Sequence, residues 1–489
     1  MQILRFAETT RAAQRIEIVG LLGGVIVAAV LRLKGLTTQS LWLDELYSVW
    51  ISQPQASFSE LVARNSSNFH PLLYQLMLWD WFKLLGYSDL SAKLLSALLG
   101  ILCVPALYFL GRRLFGHQVG LVSAWLLAVN YFSIYYSQEV RAYALLLLLT
   151  CVAHLCFWRM MVDRSRRSAI CYGISAAALL HSHNFGLFII ASHLVAVALW
   201  SREAGSTRSW RLGFGLCAVL YTPWLPFLWA QIRNRASWQQ VPEPWFFGDY
   251  FVQYFGAGYL AVAVAGLIVF GLARVFFPRS AESEGKAIQR RRACYVLALS
   301  VLTVYGTAYL VSILGQPILH PRYTIITLPA FLVLAGLGLI EVRESIRIPF
   351  LSIFLIALSL VWLLGQSRYY TSIHKQQWRE AIQYMAARVR PNDLIVSEYP
   401  ALTAYYLHQA GLDRFQNLRP ASVKVLRRFL SRAGSDRGIW LFTAHQADGL
   451  LIPEEVQNLL RRRFEVIDKC RFYDARVLYL HPRPGRKPG

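Results

Sequence analysis

The sequence predicts a polytopic α-helical membrane protein with a small soluble α/β domain at its C-terminal end. Three observations predict it. Of 489 residues, 56% are hydrophobic and 16% are charged, against about 25% charged in ordinary soluble proteins. Apolar runs of membrane-crossing length recur between residues 17 and 365, each near the roughly 20 residues that a helix needs to span a hydrocarbon core. Beyond residue 367 the runs give way to short alternating helix and strand patterns. The formal net charge of +23 does not point to nucleic acid. Its basic residues sit in short segments between apolar runs, the positive-inside pattern.

The candidate spans fall near 17–33, 90–111, 118–135, 142–161, 168–182, 184–200, 211–230, 250–276, 293–314, 323–340 and 348–365. That makes about eleven transmembrane helices, the fifth and sixth forming a tight hairpin. The apolar segment 71–86 is short and carries Asp80 and Lys83, so it reads as a juxtamembrane helix lying at the interface. With this count one side receives Arg5, Arg11 and Arg15, then Arg112 and Arg113, then Arg159, Arg164, Arg166 and Arg167. Arg202, Arg208 and Arg211, then Arg279, Lys286 and Arg290 to Arg292, then Arg343 and Arg347 follow on the same side. The other side holds scattered cations: Lys34, Arg64, Arg141, Arg233, Arg235 and Arg322. The rich side is cytoplasmic, so the loop after the first span faces outward from the inner (plasma) membrane. That first run is long, lacks a small-residue cleavage site and is expected to stay as an anchor.

The membrane domain is expected over residues 1–367 and an outward-facing soluble domain over 368–489. In the latter, 378–389, 401–410, 423–430 and 453–463 read as helices, and 393–397, 438–443, 464–467 and 476–480 as strands. The tail 482–489 reads as disordered. Six of the seven cysteines lie in or beside apolar runs and read as small core residues; Cys470 stands alone in the polar region.

The chain's unusual polar residues gather at the outward ends of the spans. Asp44 and Glu45 follow the first span, adjacent carboxylates that are costly to desolvate at a membrane surface. Then come His70-Pro71-Leu72-Leu73-Tyr74, Ser137-Gln138-Glu139-Val140-Arg141-Ala142-Tyr143, His181-Ser182-His183 and His320-Pro321-Arg322-Tyr323. Singly, each has a plainer reading. An Arg at a helix end snorkels to headgroups, Tyr and Trp anchor at the interface, and an acidic pair caps or salt-bridges a neighbouring helix. His181 and His183, two residues apart, point to different helix faces and have no third ligand, so no metal site is read. Together the residues suit a phosphate-bearing lipid. Arg presents a fixed fork to phosphate oxygens, His donates hydrogen bonds with or without charge, and a carboxylate takes a proton from an attacking hydroxyl.

At these residues the chain resembles the GT-C superfamily of polyprenyl-phosphate-sugar glycosyltransferases. The branch it resembles is glycosyltransferase family 39, which includes protein O-mannosyltransferases and lipid A aminoarabinose transferases. The resemblance covers roughly residues 15–365 and lies in the order and spacing of the motifs. It implies an inverting transfer at the outer membrane face from a sugar on a polyprenyl phosphate to a hydroxyl of a lipid, glycan or protein. Asp44 matches the family's general base, and Glu45 would orient the acceptor or support Asp44. Arg141, Arg322, His70 and Tyr323 are the candidates for holding the donor phosphate; His181, His183, Tyr143 and His320 are the candidates for binding substrate. One departure stands out: the aminoarabinose branch carries a lysine where His70 stands here, which counts against that particular sugar and acceptor. The resemblance implies no cofactor. These branches use no bridging metal, oligosaccharyltransferase relatives do, and the acidic pair alone leaves a divalent cation open. Two rival classes are weighed. A lipid-linked glycan polymerase or ligase would lack an acidic pair directly after the first span. A transporter would show midplane charge and inverted repeats.

Overall fold

Inside hydrocarbon a backbone must satisfy its own N–H and C=O groups, so the apolar runs become helices. The computed structural model describes residues 2–66, 70–200, 208–233, 239–278, 283–342, 347–420, 422–431, 437–444 and 452–483. Asn68, Phe69, Arg202, Arg235, Arg279, Arg343 and the tail 484–489 lie outside the described residues.

In chain order, α1 (Gln2–Leu33) is followed by three shorter helices, α2 (Leu43–Ile51), α3 (Phe58–Ser66) and α4 (Leu73–Leu85). Then come α5 (Asp89–Phe115), α6 (His117–Ala128), α7 (Tyr131–Ser137), α8 (Tyr143–Asp163), α9 (Arg166–Ser182) and α10 (Gly186–Trp200). The bundle continues with α11 (Arg208–Tyr221), α12 (Leu225–Arg233), α13 (Phe246–Phe255), α14 (Gly258–Phe276), α15 (Glu284–Leu314), α16 (Leu328–Ile340) and α17 (Arg347–Val361). Seven spans among the described residues are long and apolar enough to cross a membrane, and the bent pair α6–α7 makes eight. The other three expected spans are α9, α10 and α16, of 17, 15 and 13 residues. The segment expected at the interface is α4, whose 13 residues fall well short of crossing.

The expected span 118–135 is broken: α6 and α7 meet at 61°. A break leaves carbonyls without intrahelical donors, and Arg32 supplies them. Its fully buried guanidinium donates to Leu127 O (3.1 Å), Ala128 O (2.9 Å), Ser133 Oγ (2.9 Å) and Ser137 Oγ (3.2 Å). Asn130 caps α7, accepting from Ser133 N at 2.9 Å. The expected span 250–276 also divides, at Gly256, whose φ of +84° suits glycine. α14 and α16 pack through Gly271 and Gly338; a Cβ on Gly338 would stand 2.0 Å from Leu267 O, so the bare glycine sets how closely the two backbones approach.

The chain divides into two compact units, one of residues 1–34, 56–84 and 93–370, the other of 35–55, 85–92 and 371–489. The boundary read from the sequence, at 367/368, therefore sits near the last junction but misses two short segments that belong with the C-terminal domain. That second unit holds α2 and four further helices, α18 (Trp378–Ala386), α19 (Pro400–Gln409), α20 (Val423–Ser431) and α21 (Glu454–Arg463). Its strands are β1 (Leu394–Ser397), β2 (Asn417–Leu418), β3 (Ile439–Ala444), β4 (Phe464–Phe472) and β5 (Ala475–Pro482). They form one sheet in the order β2-β1-β3-β5-β4, parallel from β2 to β3 and antiparallel at β3/β5 and β4/β5. β1 and β3 are buried along their whole length, which is why they read as continuous apolar runs. The helix α2 and the two-residue strand β2 are elements of this unit that the sequence pattern does not announce.

Candidate active site

The first unit gathers a buried cluster from four sequence-distant segments. His70 enters from the turn before α4, held by Asn65 Nδ2 donating to its backbone carbonyl at 3.3 Å. Arg141 sits in the tight turn between α7 and α8, where its N–H donates to Glu139 O at 2.8 Å. Tyr143 opens α8. His183 occupies the three-residue turn between α9 and α10. Arg322 and Tyr323 precede a 3-10 turn (Thr324–Thr327) leading into α16. That turn is tied down by Thr324, whose hydroxyl hydrogen-bonds Tyr254 Oη, itself 2.7 Å from Tyr305 Oη.

These side chains meet. The His70 ring lies 4.6 Å from His183, 5.8 Å from Tyr323 and 6.3 Å from Tyr143. His183 is 5.0 Å from Tyr323. The Arg322 guanidinium stands 5.3 Å from the Tyr323 ring and 5.8 Å from that of Tyr143. Arg141, Arg322, His70, His183, Tyr143 and Tyr323 are all buried. Buried cations require anionic partners, and Glu139, also buried, is a carboxylate of the same turn. Burial, then the electrostatic influence of Arg141, His183 and Arg322 in that order, pushes the His70 imidazole well below its ordinary pKa. Burial, then Arg141 and Arg322, lowers His183 to about 3. Both imidazoles are neutral at pH 7. Phe185 N–H donates to His183 Nδ1 at 3.1 Å, so the ring proton is on Nε2. Among the described residues, that buried Nε2–H and the buried Tyr143 hydroxyl have no protein partner. Two donors and two guanidinium groups thus share one buried cluster.

Two other candidates stand apart. His181 turns away from the cluster; its Nε2 lies 3.1 Å from Leu220 O and its ring beside Tyr221 and Trp224. His181 and His183 diverge because neighbours at i and i+2 leave a helix end on different sides. His320 is half-buried at the edge, its ring 5.6 Å from Tyr323, its Nδ1 accepting from Arg322 N at 3.3 Å.

In the second unit, Asp44 and Glu45 open α2, where negative charge meets the positive end of the helix dipole. Their environments differ. Glu45 is fully buried: Oε1 accepts from Lys375 Nζ at 2.9 Å and Oε2 from Trp42 N at 3.2 Å. Glu45, expected to orient the acceptor or support Asp44, caps its helix and pairs with a lysine, the plainer use weighed for the acidic pair. Asp44 is half-buried and lines a cleft of about 410 Å³ together with Tyr47, Trp50, Glu398, Tyr399 and Arg419. The N-terminus of α2 is fixed from one side by residues 375–376 and 406. Gln376 Oε1 accepts from Leu43 N at 3.1 Å, Ser40 Oγ donates to Gln376 O at 2.6 Å, and Leu41 N donates to Tyr406 Oη at 2.7 Å. Lys375, Gln376, Glu398 and Arg419 are functional candidates the sequence pattern misses. The one local signal is the polar run His374 to Gln377 directly before α18, since the pairing with Glu45 spans 330 positions.

The family model described as "Dolichyl-phosphate-mannose-protein mannosyltransferase" matches residues 69–227, a stretch carrying His70, Arg141, Tyr143, His181 and His183. No curated protein matches the chain by sequence. Among solved structures, apo ArnT from Cupriavidus metallidurans superposes with a TM-score of 0.64 at 13% identity, covering 96% of this chain and 98% of that one. The same protein bound to undecaprenyl phosphate gives 0.57 at 13% identity, covering 94% and 97%. The apo oligosaccharyltransferase of Archaeoglobus fulgidus gives 0.53 at 11% identity, covering 88% and 69%. At these identities the structural likeness is one of fold. The chain thus has the fold of ArnT, and its residues 69–227 match the protein mannosyltransferase family model.

Proposed function

We propose that this protein transfers a sugar from a polyprenyl-phosphate donor to an acceptor hydroxyl at the extracytoplasmic face of the membrane, with inversion. Arg141 and Arg322 hold the donor phosphate, and His70, His183, Tyr143 and Tyr323 complete its surroundings. Asp44 is the general base. The acceptor oxygen attacks the anomeric carbon and its proton passes to the Asp44 carboxylate. The bond from that carbon to the phosphate oxygen breaks, and the lipid phosphate leaves with the electron pair. Its charge grows from one negative to two. Two fixed guanidinium groups favour the products' charge over the substrate's, which lowers the barrier. The neutral imidazole at His183 adds a hydrogen-bond donor without adding charge.

The observation that carries this reading is the gathering of His70, Arg141, Tyr143, His183, Arg322 and Tyr323 into one buried cluster. It agrees with ArnT, whose fold this chain shares and which has been seen bound to undecaprenyl phosphate. The outward orientation rests on the cation bias along the chain. The test is a comparison of the glycolipids and glycoproteins of a deletion strain by mass spectrometry, with restoration by plasmid. Loss of one glycoform, restored by the wild-type gene and not by Asp44→Asn, is the expected result. Restoration by Asp44→Asn overturns the assigned base.

A further inference from the structure

A general base must lie within hydrogen-bond reach, about 2.6–3.2 Å, of the proton it takes. If Asp44 is that base, the cleft it lines receives the acceptor. This inference therefore rests on the reading above. The cleft is a property of the second unit alone: Asp44, Tyr47 and Trp50 come from α2, and Glu398, Tyr399 and Arg419 from the loops that follow β1 and β2. Its volume of about 410 Å³ falls within the roughly 300–1,000 Å³ of small-ligand clefts.

The chemistry of the walls is mixed in a particular way. Three aromatic rings border it. Tyr47 and Trp50 stand 5.6 Å apart at 34°, one turn apart on α2. Tyr399 is set at the start of α19, where its carbonyl accepts from Leu402 N and Thr403 N at 3.1 and 2.9 Å. Around them are groups that exchange hydrogen bonds with hydroxyls: Asp44, Glu398 and Arg419. Glu398 is buried, and its Oε2 accepts from Ala444 N of β3 at 3.2 Å, so its carboxylate is fixed by the sheet. Arg419 is exposed at the rim. Flat aromatic faces take the C–H faces of a sugar ring, and carboxylate and guanidinium groups take its hydroxyls.

We infer that the cleft formed by α2 and the loops after β1 and β2 is an acceptor subsite for a saccharide, with Trp50 and Tyr399 as stacking walls and Glu398 and Arg419 as hydroxyl-binding groups. The C-terminal domain thereby determines which hydroxyl reaches Asp44.

The test uses the full-length protein in nanodiscs and saturation-transfer NMR. Three probes are compared: a panel of methyl hexosides, a short serine/threonine peptide and undecaprenyl phosphate. The expected result is saturation of ring protons of at least one methyl hexoside. That signal falls at least fivefold in Trp50→Ala, Tyr399→Ala and Arg419→Ala while undecaprenyl phosphate binding stays within twofold of wild type. Arg419 is exposed, so its variant tests recognition without disturbing the core. Binding of undecaprenyl phosphate with no hexoside signal at millimolar concentration overturns the saccharide subsite and leaves the donor reading standing. Binding of the peptide, lost in the same variants, overturns it in favour of a polypeptide acceptor. Failure of the wild type to bind undecaprenyl phosphate overturns the donor reading itself.

Discussion

At the scale of single residues, the acidic pair separates into two roles because one member is exposed to a cleft and the other is sealed. Glu45 has both oxygens engaged and a buried lysine as counter-ion. Removing one partner of a buried pair strands a charge at a cost of about 3–5 kcal/mol. Lys375→Met is therefore expected to lower the thermal midpoint sharply, and adding Glu45→Gln is expected to recover most of the loss; equal midpoints for Lys375→Met and wild type would show that the pair contributes nothing. Asp44→Asn keeps shape but cannot take a proton, so turnover is expected to fall about 10²–10⁴-fold, with donor affinity unchanged. His183 sets a pH dependence. Its folded pKa is near 3, against about 6.5 unfolded, so the unfolded chain takes up the proton first. Its contribution to stability is undiminished above pH 6.5 and is lost as pH falls toward 3. A thermal midpoint that declines between pH 7.5 and 4.5, with a shallower decline in His183→Asn, is the expected result. The sequence names Asp44, Arg141, Tyr143, His183 and Arg322 because motifs at span ends are local. It groups His181 with them because a sequence carries no side-chain direction, whereas the ring lies beside Tyr221 and Trp224, and it misses Lys375 because nothing local records a partner 330 positions away.

At the scale of elements, the apolar pattern gives the helices and hides their interruptions. The α6–α7 bend lies in an unbroken apolar run; what makes it is Arg32, distant in sequence, donating to carbonyls that the break leaves open. Arg32 sits at the end of the first span and is nonetheless fully buried. Close helix contacts are equally silent, since a glycine in an apolar run carries no mark of its neighbour. Gly338→Ala would drive a methyl into Leu267 O and is expected to cost about 1–3 kcal/mol, the range for overpacking a filled interior. A loss of thermal stability in detergent checks it, and no loss would mean that α14 and α16 have room to separate. In the second unit the alternation of pattern predicts four helices and four strands correctly. β2, with two residues, is too short to show a period.

At the scale of the whole molecule, cation bias, helix count and fold agree on a multi-pass membrane protein with the fold of ArnT. The proposed outward face for Asp44, the buried cluster and the C-terminal domain follows from that bias, and a reporter fused after residue 483 is expected to be active only outside the cytoplasm. The central claim is that the Arg-His-Tyr cluster holds the phosphate of a lipid-linked donor. The measurement that tests it most directly is the affinity of the purified protein for undecaprenyl phosphate, in wild type, Asp44→Asn and Arg141→Ala/Arg322→Ala. Hydrogen bonds to charged groups are worth about 1.5–3 kcal/mol each, so the double variant is expected to bind at least tenfold more weakly. Asp44→Asn is expected to bind within twofold of wild type. Wild-type affinity in the double arginine variant would contradict the claim.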